Sequence, residues 1–236
     1  MDNFSFLKNC QILDLTYAVN AAVPTWNGSC GFNHKIHMDY EEGCRVMSYK
    51  LHAGIGTHMD APSHFYKEGH CIHDLPLLSF FAPIRKINVS GKKDPDLLIS
   101  VEDIEAHEHL FGKIPPKTFV IGYTGWGEFW NDEKLYRRVD ASGLMHFPGF
   151  SKEAASFLLT RDIVGLGIDT LSPETGKEGF PVHKLILGAG LYILENLASL
   201  QDLPEIGAFL LVLPLKIEGG AEAPVRAVAL TAPLNP

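Results

Sequence analysis

The sequence predicts a single α/β domain, and two observations lead to this fold class. Two near-continuous apolar runs, residues 118–123 and 163–168, have the length and composition of buried strands. Helical segments alternate with them: a capping box that begins at Ser100 starts one helix, and residues 151–159 form another. Apolar strands that alternate with helices are typical of the α/β class.

Shorter strands complete the predicted sheet. Residues 12–16 alternate apolar and polar positions, and so do residues 47–51, which lead directly into a segment rich in histidine and glycine. Further strands are predicted at residues 83–89, 209–215 and 225–230, the last two joined through a Gly-Gly turn.

Length, composition and charge limit the classes of function. The chain has 236 residues, 46% of them hydrophobic, which is enough for a sizeable core, and it contains no repeat or linker, so residues 1–236 are predicted to form one domain. Its 20 basic and 28 acidic residues give a formal net charge of -8, and lysine and arginine do not cluster. Nucleic-acid and anionic-membrane partners are therefore disfavoured. The partner that we expect is a small-molecule substrate.

The sequence also predicts the compartment. Residues 1–10 lack the sustained apolar core of a secretory signal, and no apolar run approaches membrane-spanning length. The four cysteines have no CxxC spacing and are interpreted as reduced core thiols. We therefore expect a cytosolic protein.

Residues 52–64, with the sequence H-A-G-I-G-T-H-M-D-A-P-S-H, are the stretch with the clearest chemistry. Their glycines and proline exclude a continuous helix, so an extended strand that bends into a loop should present the polar groups. His58 and Asp60 are two residues apart and share one side of an extended chain. A neutral imidazole and a carboxylate are both metal ligands, which makes this pair a candidate metal site.

Further metal ligands must come from another segment, and His183 and Glu195 are the best candidates. In one continuous helix these residues would lie about 18 Å apart along the axis and could not share a metal ion. Gly188 and Gly190 make a break plausible, so that a short helix, a turn and a strand over residues 191–194 would return Glu195 toward His183.

The motif G-T-H-M-D-A-P-S-H-F at residues 56–65 resembles that of the metal-dependent cyclase family, whose members include kynurenine formamidases, isatin hydrolase and a dienelactone hydrolase. The resemblance extends over nearly the whole chain. Supporting motifs follow in the family's order: L-D-L-T at 13–16, P-T-W at 24–26, T-G-W at 124–126, G-I-D-T-L-S at 167–172, H-K-L-I-L at 183–187, E-N-L at 195–197 and P-V-R-A-V-A at 224–229.

The resemblance implies a single-domain swivelling β/β/α fold, a homo-oligomer (dimer or tetramer) and a bound divalent metal, zinc or manganese. Carried over residue by residue, His58 and Asp60 match ligands of a first metal position, and Asp60 can bridge to a second position whose ligands match His183 and Glu195. His64 matches the general acid/base. Trp26 corresponds to aromatic loop residues that wall the substrate pocket.

One position departs from the family pattern. The family commonly places a histidine four residues before the equivalent of His58, where this chain has Gly54. His52 has the same strand parity but begins about 6.6 Å further back along an extended chain. We therefore prefer a site with one ligand fewer to a site that uses His52, and we expect a single metal ion held by some of the remaining four candidates.

The resemblance implies an enzyme that hydrolyses a small amide, a formamide or a cyclic amide or lactone, in the manner of an arylformamidase. Water activated by the metal and proton transfer by His64 would carry the reaction. Two alternatives remain open: a metal-dependent cyclase or lyase that moves a proton next to a carbonyl, and a non-catalytic protein that binds a metal or a ligand.

Overall fold

The computed structural model describes residues 10–175, 177 and 179–232, and within them the chain forms twelve strands and four helices. The strands are β1 (Gln11–Asp14), β2 (Phe32–Met38), β3 (Val46–Leu51), β4 (His58–Asp60), β5 (Phe81–Asn88), β6 (Leu98–Ile99), β7 (Phe119–Tyr123), β8 (Gly149–Phe150), β9 (Gly165–Ile168), β10 (Tyr192–Glu195), β11 (Phe209–Pro214) and β12 (Glu222–Thr231). The helices are α1 (Val101–Phe111), α2 (Glu133–Arg137), α3 (Lys152–Leu159) and α4 (Pro181–Gly188).

Seven of the strands close into a barrel, in the order β12-β11-β5-β7-β9-β10-β4. The ring closes because β4 pairs with β10 on one side and with β12 on the other. The neighbours β5, β7, β9 and β10 are parallel, whereas β4, β11 and β12 pair antiparallel. The barrel with flanking helices confirms the predicted α/β class and the swivelling β/β/α fold that the resemblance implied.

Alternating side chains divide each barrel strand between an inner and an outer core, as the period of two in a strand requires. On β7, Phe119 and Ile121 pack inside the barrel, while Val120 packs outside it. Gly165 and Gly167 on β9 face the Phe119 ring so closely that a Cβ at either position would lie 2.7 or 2.8 Å from it. Glycine at both positions therefore leaves the room that the aromatic ring fills.

Helices α1, α3 and α4 cover the outer face of the barrel through Ile104, Leu158 and Ile186, each fully buried. Burial of an aliphatic side chain of this size contributes about 1.5–3 kcal/mol, so this layer is a main source of stability. The predicted helix starts are confirmed, because the Ser100 and Ser151 hydroxyls accept hydrogen bonds from the first turns of α1 and α3.

Strands β2 and β3 form a separate two-stranded antiparallel sheet whose residues are mostly exposed. The prediction that a strand over residues 47–51 leads into the histidine-rich segment is confirmed by β3. The chain then passes through a glycine-rich turn and enters the barrel as β4.

The structure bears on the predictions about the cysteines and about membrane-spanning segments. The four cysteines are free thiols, but the expectation that they lie in the core is wrong, because Cys30 and Cys44 are exposed and Cys10 and Cys71 are only partly buried. Within the described part of the chain, none of the helices combines the length and the apolar character that crossing a membrane requires. The single domain over residues 1–236 stays a prediction.

Candidate active site

The site is built around β4, on the outer face of the barrel. Met59 points into the inner core, so its neighbours His58 and Asp60 point outward. The register places Glu195 of β10 directly opposite His58, and Glu222 of β12 directly opposite Asp60. Directly opposed residues project from the same face of a sheet, so three neighbouring strands direct one histidine and three carboxylates to one place.

Helix α4 brings the second histidine to this group. The helix ends at Gly188, a turn with Gly190 at φ 78° follows, and β10 returns along the barrel. This is the helix, turn and strand that the two glycines predicted. As a result, the Nε2 atom of His183 lies 3.3 Å from Oε1 of Glu195.

Two histidines and two carboxylates form a ring in which bases and acids alternate. The Nε2 atom of His58 lies 3.5 Å from Oδ1 of Asp60 and 3.2 Å from Oε2 of Glu195. The Nε2 atom of His183 lies 3.4 Å from Oδ2 of Asp60, which completes the ring. All four residues are buried.

Donor atoms in and beside the ring are close enough to hold a divalent cation. Those of Asp60, His64 and His183 lie within 4.8 Å of one another, and so do those of His58, Asp60 and Glu222. In addition, Oδ1 of Asp60 is buried and has no hydrogen-bond partner among the described residues. A buried carboxylate oxygen without a partner is costly unless a cation compensates it.

Hydrogen bonds on the far side of each imidazole aim Nε2 at the ring. For His58, Nδ1 lies 2.8 Å from the carbonyl oxygen of Gly56, which also accepts a 2.9 Å hydrogen bond from the Asn196 amide. The Thr57 hydroxyl donates to the carbonyl of Asn196 at 2.7 Å and ties the same turn to the end of β10. Such outer contacts fix the tautomer of a metal-binding histidine.

For His183, the outer contact is a buried carboxylate, that of Glu174. Its Oε1 lies 2.5 Å from Nδ1 of His183 and accepts a 3.1 Å hydrogen bond from the backbone N–H of the same residue. The other oxygen accepts from the backbone N–H of Val182. Glu174 therefore satisfies the first backbone donors of α4 and orients the imidazole at the same time.

The carboxylates dominate the electrostatics of the ring. Burial by itself lowers the pKa of His58, but Asp60 and Glu195 outweigh it and raise that pKa to about 10. Burial also opposes a charge on His183, yet Asp60, Glu174 and Glu195 raise its pKa well above the ordinary value. The group of carboxylates thus favours positive charge at its centre, as a cation site must.

His64 and Glu222 lie beside the ring and are partly open to the cavity. His64 ends a short 3-10 turn that begins at Pro62, and its Nδ1 lies 3.6 Å from Oε2 of Glu222. Burial and the nearby Asp60 carboxylate raise the pKa of Glu222. His52 is exposed and does not line the cavity.

The ring forms the floor of a cavity of about 430 Å³ with aromatic walls. Trp26 lines it and packs against Phe180 with the ring centroids 5.6 Å apart. Phe180 in turn contacts Phe65 at 5.7 Å, and Phe65 stacks on His183 at 4.8 Å. A row of aromatic rings therefore leads from the partly exposed Trp26 to the imidazole of His183.

All six residues that the sequence singled out line this cavity, namely His58, Asp60, His64, His183, Glu195 and Trp26. Sequence reasoning missed Glu174 and Glu222. Glu174 follows Pro173 in an irregular segment, where nothing local points to His183. Glu222 begins β12, and only the register of that strand against β4 reveals its position.

A barrel that carries two histidines, neighbouring carboxylates and a third histidine in an aromatic cavity has the groups that one class of enzyme uses, the hydrolases that act on amide C–N bonds. The family model of the cyclases matches residues 13–175. The chain belongs to the cyclase family.

Relatives within the family support this class. The isatin hydrolase of Roseibium aggregatum is 35% identical over 187 residues, which cover 74% of this chain and 70% of the relative. A kynurenine formamidase of Bacillus cereus is 28% identical over 231 residues, 94% of this chain and 98% of the relative. The crystal structure of an isatin hydrolase bound to the product analogue thioisatinate superposes with a TM-score of 0.88 at 29% identity and covers 97% of this chain and 95% of that one.

Proposed function

We propose that this hydrolase cleaves a small aromatic formamide or cyclic amide with the help of a divalent cation, zinc or manganese. One observation carries the proposal: the ring of His58, Asp60, His183 and Glu195 lies at the floor of a cavity with aromatic walls, beside a further histidine. These four residues would hold the cation. When bound, it would lower the pKa of a water molecule and polarise the substrate carbonyl.

The chain's own residues prepare this chemistry before a substrate enters. The contacts of Nδ1 in His58 and His183 leave both Nε2 atoms directed at the ring. Because the contacts involve a backbone carbonyl and a buried carboxylate, the imidazoles need little reorganisation to bind a cation.

His64 is the residue that moves the proton. It lies on the open side of the ring, and the centroid of its imidazole is 6.0 Å from that of His183. As the water oxygen bonds to the carbonyl carbon, His64 takes a proton from the water. It then gives this proton to the leaving nitrogen as the C–N bond breaks, so the products are a carboxylic acid and an amine.

The aromatic row gives the substrate its place. Trp26 and Phe180 offer flat apolar surfaces next to the ring, and an aromatic substrate would stack there with its carbonyl directed toward the floor. Isatin and kynurenine, named in the relatives, both contain an aromatic ring, which supports the same substrate class for this chain.

Metal removal tests the proposal. Protein freed of metal by a chelator should lose turnover of N-formylkynurenine, isatin and simple lactones, and added zinc or manganese should restore it. Mass spectrometry of the purified protein measures which metal it carries. Full activity after complete metal removal would refute the cation's role.

Labelled solvent separates hydrolysis from a cyclase or lyase reaction. In water enriched with oxygen-18, hydrolysis places one solvent oxygen in the carboxylic acid product, and a lyase places none. Light scattering on the purified protein tests the homo-oligomer, a dimer or a tetramer, which stays a prediction, as does the cytosolic location.

A further inference from the structure

Gly54 lies in the cavity wall, and its missing side chain has a steric reason. Its φ lies outside the left-handed region, so the backbone at this position does not require glycine. A Cβ on residue 54 would instead overlap the carboxylate of Glu222 and would lie 3.2 Å from Nε2 of His58. The space that a side chain at residue 54 would fill is therefore taken by Glu222.

Glu222 reaches this space from the opposite strand. It faces Asp60 across the β4–β12 pair, and its side chain is only 26% exposed. Donor atoms of His58, Asp60 and Glu222 lie within 4.8 Å of one another, close enough to hold one metal ion. The buried Oδ1 of Asp60, which has no hydrogen-bond partner in the described chain, belongs to this group.

The charges in this part of the site also favour a cation. Glu222 adds a third carboxylate to those of Asp60 and Glu195, beside the imidazoles of His58 and His183. Carboxylates that share a partly buried site repel one another unless positive charge lies between them. His64, at 3.6 Å, is too distant for a direct hydrogen bond to Glu222.

We propose that Glu222 is a ligand of the cation and takes the coordination position that the glycine at residue 54 leaves open. This inference rests on the proposed metal-dependent function. The sequence led us to expect one ligand fewer than in the family, because residue 54 is glycine. With Glu222 the number of ligands is restored, and the additional ligand comes from β12 instead of from the glycine-rich turn. The set then contains two imidazoles and three carboxylates, a more anionic group than the four residues predicted from the sequence.

Metal titration of the metal-free protein tests the inference. Calorimetry with manganese or zinc would compare the wild type with Glu222→Ala, Glu222→Gln and Gly54→Ala. Loss of a contact outside the coordination sphere costs about 10–100-fold in affinity. We expect Glu222→Ala to weaken binding by more than this range, the glutamine variant to weaken it less, and Gly54→Ala to weaken it although Glu222 is still present.

Two matched variants serve as controls. Glu218→Gln changes an exposed acid four residues from Glu222, and Gly91→Ala adds a methyl group where no atom lies within 4 Å and φ is outside the left-handed region. Both should bind metal like the wild type. Circular dichroism and urea unfolding of the metal-free variants show whether each one folds. If Glu222→Ala does not fold, Glu222→Gln still tests the inference, because it preserves the size of the side chain.

The double variant Gly54→Ala/Glu222→Ala gives the sharpest result. If the methyl group acts by displacing the Glu222 carboxylate, it causes no further loss once that carboxylate is gone. If the losses of the two variants multiply, the methyl group acts on another atom, such as Nε2 of His58 at 3.2 Å, which would overturn the part of the inference that links Gly54 to Glu222.

Two further outcomes would also overturn it. Metal affinity of Glu222→Ala equal to that of the wild type, with a lower turnover rate, would make Glu222 a partner of His64 and not a ligand. A wild-type protein that binds no metal would overturn the proposed function together with this inference. If the wild type binds metal and Glu222→Ala binds it equally well, only the inference is overturned.

Discussion

Replacing Glu174 by glutamine tests how strongly one contact behind His183 controls the metal site. The carboxylate accepts three hydrogen bonds, from the backbone N–H groups of Val182 and His183 and from Nδ1 of His183. A glutamine side chain has nearly the same size, but one of its two polar atoms is a donor. At least one of the three buried donors must therefore lose its partner.

The structure gives two magnitudes for this change. A buried donor without a partner costs about 1–3 kcal/mol, which should appear as a lower free energy of unfolding of the metal-free protein. The His183 imidazole also loses its negatively charged neighbour, and loss of such an outer contact lowers metal affinity by about 10–100-fold. In free energy, this second effect is about 1.4–2.7 kcal/mol of binding.

Urea unfolding and metal titration measure the two effects separately. Glu68→Gln, a change of an exposed acid, is the matched control and should alter neither quantity. If Glu174→Gln lowers stability but leaves metal affinity within threefold of the wild type, Glu174 serves only the start of α4. That result would refute the argument that it orients His183.

Other predictions address the remaining parts of the site and the fold. His64→Gln should lower kcat by about 10²–10⁴-fold in steady-state assays without changing the metal content, and loss of the metal would contradict its role in proton transfer. Trp26→Ala should raise KM for an aromatic formamide by roughly 2- to 10-fold and leave KM for an aliphatic formamide unchanged, so equal effects would exclude stacking. Burial raises the pKa of Asp169 to about 6 although Thr124 and Gly125 donate hydrogen bonds to it. The folded state therefore holds this proton more tightly than the unfolded state, and stability should fall by up to about 3 kcal/mol as the pH rises from about 4 to 6. Urea unfolding between pH 4 and 6 should show that the free energy of unfolding decreases less with pH in Asp169→Asn than in the wild type. The same decrease in both proteins would contradict a raised pKa of Asp169.

Local signals were sufficient for much of the fold and for the position of the site. The strands over residues 118–123 and 209–215 and the capped helices could be predicted because each depends on its own residues. The return of Glu195 toward His183 could also be predicted, because a continuous helix would separate them and the intervening glycines allow the chain to turn.

Glu174 and Glu222 could not be predicted in the same way, because their positions depend on tertiary structure. Glu174 acquires its role only when α4 packs on the barrel and places His183 against it. Glu222 lies beside Asp60 because β12 pairs with β4 in one particular register, and a shift by one residue would turn its side chain into the barrel. The closed ring of strands is likewise absent from any local pattern, since it depends on pairings between distant segments.

The same register explains why the place of a metal site can be more predictable than its ligands. The outward positions of β4, β10 and β12 lie side by side, so a carboxylate at residue 222 and a side chain at residue 54 reach the same volume from different segments. When the glycine-rich turn has no ligand side chain, a residue of β12 can therefore supply one, and the barrel needs no change. On the proposal that Glu222 binds the cation, the motif around His58 and Asp60 gives the location of the cation, and the neighbouring strand β12 adds a negative charge beside it.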